Sequence, residues 1–140
     1  MDDSLIMLVV EDNPADVFFF NEAFDANRTD ATVHVVTDGD MAMQFLRHQA
    51  PFADAPRPDV IVLDLNLPIK SGREVLAEMA ADPALETIPV AILTSSAFDR
   101  SACDVYPAGR CLYFVKTHEF RQLQDIVGQI AAHARTARNQ

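Results

Sequence analysis

Long apolar runs are missing from this 140-residue sequence: none approaches the roughly 18–20 residues that a bilayer-spanning helix needs, so no membrane segment is expected. Cysteine is scarce. Cys103 and Cys111 stand outside any Cys-x-x-Cys pair or Cys/His cluster, so both are read as reduced thiols used as small apolar residues. His34, His48, His118 and His133 likewise lack metal-ligand spacing and read as ordinary strand and helix residues. Positive charge is short as well, with 11 Lys and Arg against 21 Asp and Glu and a pI near 4.6. Contacts to phosphate backbones need clusters of Lys and Arg, and their absence argues against a nucleic-acid partner. There is no repeat, no low-complexity tract and no linker-like stretch, which leaves one domain over residues 1–140. The acidic opening Met1-Asp2-Asp3-Ser4 is wrong for a secretory signal, and a cytoplasmic location is expected.

What is present is a set of short aliphatic runs. Val60-Ile61-Val62-Leu63 leads into Asp64, with Pro58 before it and Pro68 after it, and reads as a strand buried on both faces. Leu5 to Val10 is a second such run and ends in Glu11-Asp12-Asn13-Pro14, where Asn13 suits a helix cap and Pro14 the first helical position. The helix that follows carries Val17, Phe20, Ala23 and Phe24 at helical spacing to about Asn27. Phe18 and Phe19 widen its apolar face, either for the core or for a partner.

Thr32 to Thr37 reads as a strand near the sheet edge, and a helix starts at about Met41. Residues 51–58 form a loop with three prolines. Ser71 and Glu74 have capping-box spacing for the next helix, which stops by Pro83. Ile88 to Thr94 is a further buried strand, Ala97 to about Val105 a short weak helix, Cys111 to Lys116 the last strand, and Glu119 to about Ala134 an amphipathic terminal helix. Five strands alternating with five helices predict an α/β, doubly wound parallel sheet. The flavodoxin-like order 2-1-3-4-5 is expected from fold statistics.

In that order the first and third strands are neighbours, so their ends bring Glu11, Asp12 and Asp64 together. Carboxylates crowded into a half-buried site repel unless some are protonated or a cation sits among them, and an oxygen-only ligand set favours Mg²⁺. The charge is lopsided in the same sense: residues 1–66 hold 13 Asp and Glu against 3 Arg, whereas residues 67–140 balance at 8 against 8. Thr94 ends the fourth strand with a hydroxyl and Lys116 ends the fifth with an ammonium. A carboxylate nucleophile, acids for a cation, a hydroxyl donor and an ammonium are the equipment of phosphoryl transfer.

This pattern of Glu11-Asp12, Asp64 with Pro68 and Gly72 following it, Thr94-Ser95 and Lys116 resembles the receiver domain of two-component response regulators over essentially the whole chain. The resemblance implies that Asp64 accepts a phosphoryl group from a sensor histidine kinase. It implies too that Glu11, Asp12, Asp64 and the backbone carbonyl of Asn66 hold Mg²⁺. By the same resemblance Thr94 closes on the phosphoryl oxygens, Lys116 pairs with them and Tyr113 is the aromatic that changes rotamer. Such a protein assists its own phosphorylation and dephosphorylation and is not a turnover enzyme. Because only a short tail follows the terminal helix, the signal is expected to leave through a protein contact and not through an output domain.

The stretches Asp59 to Pro68, Gly72-Arg73-Glu74-Val75-Leu76 and Leu93-Thr94-Ser95-Ser96 resemble, more narrowly, the single-domain receivers partnered with phytochrome-type kinases. That likeness implies a homodimer through the last strand and its flanking helices. One departure stands out. Receivers usually have proline after the lysine, joined by a cis bond, whereas Thr117 follows Lys116; a cis bond there would cost about 2.5–4 kcal/mol, which leaves open both the isomer of this bond and the shape of the loop. Two other readings compete. A pseudo-receiver would bind partners without phosphorylation, and an aspartyl phosphatase of similar fold would want a second Asp where this chain has Asn66.

Overall fold

Strand and helix boundaries follow the apolar runs closely in the computed structural model, which describes residues 4–139. In chain order the elements are β1 (Leu5–Val10), α1 (Pro14–Ala26), β2 (Ala31–Val36), α2 (Gly39–Leu46), β3 (Val60–Leu63), α3 (Gly72–Ala80), β4 (Val90–Thr94), a 3₁₀ helix (Arg100–Val105), β5 (Cys111–Val115) and α4 (Phe120–Arg138). The five strands form one parallel sheet in the order β2-β1-β3-β4-β5, the flavodoxin-like arrangement expected, with β2 and β5 at its edges. The acidic Met1-Asp2-Asp3 stretch lies outside the described residues. Among the described residues no helix is long and apolar enough to cross a membrane.

Alternation along the strands sorts the core into two layers. Leu5, Met7 and Val9 face α1 and α4, where they meet Phe20, Phe24, Leu123, Val127 and Ile130. Leu8 and Val10 face the opposite way and pack with Met43, Phe45, Val75, Leu76 and Met79 of α2 and α3. β3 is buried at every residue, as its continuous aliphatic run requires between two helical layers.

The caps follow the local code. The Asn13 side chain accepts a hydrogen bond from the Ala15 amide at 2.9 Å, with Pro14 opening α1, and the Ser71 hydroxyl accepts from the Glu74 amide at 3.2 Å. Gly72 matters beyond its place at the start of α3. A Cβ there would meet the Asp64 carbonyl oxygen at 2.1 Å, so only glycine lets α3 begin directly against the backbone of the strand end.

Some expectations are corrected. Cys103 and Cys111 are not free thiols: they form a disulfide, because the 3₁₀ helix folds back alongside the start of β5 and sets the two Cα atoms 5.4 Å apart. The weak helix read over 97–105 forms only from Arg100 and as a 3₁₀ helix. Phe18 does not widen the core of α1 and is 67% exposed, whereas Phe19 packs against Phe120 with ring centroids 6.0 Å apart. His48 is not a helix residue; it follows α2 in a left-handed turn with φ 55°.

Candidate functional site

Three strand ends and one helix start meet at the carboxyl edge of the sheet. Glu11 follows β1 directly, and its amide bonds to the Val36 carbonyl at 3.0 Å, extending the β1–β2 ladder by one residue. Asp64 follows β3, held by its amide to the Val10 carbonyl at 3.2 Å. Lys116 follows β5, and its amide donates to the Thr94 carbonyl at 2.7 Å. Each side chain is thus placed by the last backbone bond of a ladder, which fixes it more rigidly than a loop would.

Glu11 and Asp64 are buried at 6% exposure each, while Asp12 is exposed. These three acids each offer a carboxylate oxygen within 4.8 Å of the others, a spacing that one divalent cation could bridge. The acids are also locally oriented. Glu11 accepts the Asn13 amide at 3.1 Å, and Asp64 accepts the Asn66 amide at 3.0 Å. Oxygen donors only, with one exposed member, suit a hard cation that keeps part of its water shell.

Lys116 crosses from β5 to this cluster, two strands away. Its ammonium lies 2.6 Å from Glu11, 2.8 Å from Asp64 and 2.8 Å from Asp16. Burial by itself would lower the Lys116 pKa, but the hydrogen bonds it donates to Asp16, Asp64 and Glu11 outweigh it and hold the amine above its ordinary range, so it stays a cation. Burial pushes Glu11 above the usual carboxylate range, although the hydrogen bond from Lys116 pulls the other way. The Lys116–Thr117 bond, which the sequence leaves open, is trans, and the ammonium reaches Asp64 nonetheless.

On the β4–β5 side the groups are less engaged. Thr94 is completely buried, and its hydroxyl is the one buried side-chain polar atom without a hydrogen-bond partner among the described residues. Tyr113 does not join the acids. Its hydroxyl donates to the Ser96 carbonyl in the loop after β4, and the Arg100 guanidinium lies 5.2 Å from its ring centroid. Asp16, in the first turn of α1, is the residue that sequence reasoning missed. Its only signal was an acid four residues after Asp12, and acids are common in a first turn for the helix dipole alone.

Comparison with known proteins follows the same lines. The family model for the response regulator receiver domain matches residues 7–128. Response regulator Rcp1 of Synechocystis sp. is 38% identical over 122 residues, covering 87% of this chain and 83% of the relative. Two solved structures are similar throughout. The phosphorylated cyanobacterial phytochrome response regulator RcpA has a TM-score of 0.80 at 41% identity and 91% coverage of both chains. The Mn²⁺-bound form of Rcp1 has a TM-score of 0.80 at 37% identity, covering 91% of this chain and 92% of the other.

Proposed function

The chain belongs to the response regulator receiver family, and from that premise we propose that it accepts a phosphoryl group on Asp64 from a sensor histidine kinase. The observation that carries the reading is the buried Asp64 carboxylate, flanked by two further acids and capped by an ammonium at 2.8 Å. An Asp64 oxygen attacks the phosphorus of the donor; the new O–P bond forms as the donor's P–N bond breaks with its electron pair returning to nitrogen, and with a proton on the donor's other ring nitrogen this leaves an acyl phosphate on Asp64 and a neutral imidazole on the donor. Glu11, Asp12, Asp64 and the Asn66 carbonyl would hold Mg²⁺, which when bound supplies positive charge to the transferring oxygens.

Lys116 neutralises part of the same charge and stays protonated throughout. The Thr94 hydroxyl is free to donate to a phosphoryl oxygen, which gains a partner for a buried group at no cost in broken bonds. Its movement would pull on the loop that holds the Tyr113 hydroxyl, and so carry the event to β5 and its neighbours. The receiver domain would signal by protein contact. A homodimer through the half-exposed edge strand β5 and its flanking helices fits that role. A phytochrome-type kinase in the cytoplasm is the partner we favour, because RcpA is a phytochrome response regulator.

Incubation with acetyl phosphate and Mg²⁺ should add one phosphoryl group, read by intact mass, and Asp64→Asn should abolish it. Persistent labelling of that variant would remove Asp64 from the role. No labelling of the native chain would favour a phosphorylation-independent binding module.

A further inference from the structure

An ammonium has three N–H donors, and those of Lys116 face three carboxylates: Glu11, Asp64 and Asp16. On the reading above, two of these partners acquire other duties. Glu11 belongs to the acid group that could hold a cation, and Asp64 becomes an acyl phosphate whose bridging oxygen is no longer an anion. Asp16 is outside that group. It comes from a different element, the first turn of α1, and its Oδ2 is 2.8 Å from the ammonium with the side chain 28% exposed.

Lys116 needs such a partner. Its long stem has many rotamers, and it must reach from the end of β5 past β4 to the end of β3. A trans junction with Thr117 leaves the direction of that stem to its side-chain partners. Thr117 is itself engaged elsewhere, its hydroxyl bonded to Gln122 at 2.7 Å and to the Glu119 amide at 3.1 Å.

We propose that Asp16 is a positioning residue for phosphoryl transfer. It fixes the Lys116 ammonium above Asp64 before the reaction, and it stays bonded while one N–H passes from the Asp64 carboxylate to a phosphoryl oxygen. The inference rests on the phosphoryl-transfer reading of the same site and adds to it a residue on α1, so that the orientation of that helix is coupled to the reacting group. Asp16 touches neither the donor nor the transferred group; it acts through Lys116.

The test is the rate of labelling by acetyl phosphate at saturating Mg²⁺, together with Mg²⁺ affinity measured by thermal shift, for the native chain, Asp16→Asn and Asp16→Glu. Asp16→Asn should label roughly tenfold more slowly, in the range expected when a reacting group is slightly misplaced, with Mg²⁺ affinity unchanged. Asp16→Glu should recover most of the rate. In a Lys116→Met background, Asp16→Asn should produce no further slowing. Native rates in Asp16→Asn would overturn the proposal. So would weakened Mg²⁺ affinity that accounts for the slowing, which makes Asp16 a cation ligand, or an equal slowing in the Lys116→Met background, which makes its effect independent of the lysine. If the native chain takes no label, the phosphoryl-transfer reading fails and this inference fails with it; a labelled native chain with an unaffected variant sinks the inference alone.

Discussion

The two halves of the sheet's carboxyl edge are built on opposite principles. At the ends of β1 and β3, charge is crowded and the buried groups are engaged: Lys116 alone bridges Glu11, Asp16 and Asp64. At the end of β4, one strand away, a fully buried hydroxyl on Thr94 has no hydrogen-bond partner among the described residues. One side is over-connected and the other under-satisfied. The difference teaches where the two states of a switch are stored. The acid side is held together at rest by the single ammonium of Lys116, which offsets part of its negative charge, and the hydroxyl side costs free energy at rest that a new acceptor oxygen would release.

The comparison breaks most visibly if the acid side loses its cation. Lys116→Met leaves Glu11 and Asp64 buried with no counter-charge, and removing one partner of a buried pair costs about 3–5 kcal/mol. Urea unfolding in chelator at pH 7 should show a loss near the lower end of that range, since the ammonium is partly exposed, and Mg²⁺ should restore part of it. Unchanged stability would mean that the three ion pairs contribute nothing net.

On the other side the sign reverses. Thr94→Val keeps the shape and removes the unpartnered hydroxyl, so the unphosphorylated protein should gain about 1 kcal/mol while the response of Tyr113 to phosphorylation is lost. Equilibrium unfolding and tyrosine fluorescence read the two effects separately. A destabilised variant would show that the hydroxyl has a partner at rest.

The smallest effect concerns pH. Burial raises the Glu11 pKa above its ordinary value of 4.5, so the folded state holds that proton more tightly than the unfolded chain does. Its stabilising contribution is complete below pH 4.5 and is lost as pH rises through the folded value. Metal-free protein should therefore lose stability over that window, and Glu11→Gln should flatten the slope. Thermal unfolding across the window, with and without Mg²⁺, checks both; a slope untouched by Glu11→Gln would assign it to other groups.

Much of this arrangement was legible before any coordinates. Aliphatic runs such as Val60–Leu63 can satisfy burial on two faces only inside a parallel sheet, and whatever follows each run must then lie on one edge. That logic put Glu11, Asp64, Thr94 and Lys116 on the same edge from strand order alone. Asp16 escaped it because the first turn of a helix is an ordinary place for an acid, and nothing in the spacing says that a lysine 100 residues later will arrive there. The Cys103–Cys111 disulfide escaped for a similar reason: a separation of 8 residues across Pro107 and Gly109 carries no geometry until the 3₁₀ helix and β5 are seen side by side. Phe18 and Phe19 show the limit of periodicity, since adjacent phenylalanines on one helix go to solvent and to a neighbouring ring respectively.

The same disulfide has a topological consequence. It closes the backbone into a covalent ring from Cys103 to Cys111, so that β5 is tied to the 3₁₀ helix of its own chain. Two copies could exchange β5 and α4 alone only if a hinge opened within that ring, and a closed ring cannot open into a hinge. While the disulfide is intact, copies of this protein can associate by laying one finished surface on another, but they cannot trade β5 and α4 without carrying the 3₁₀ helix along.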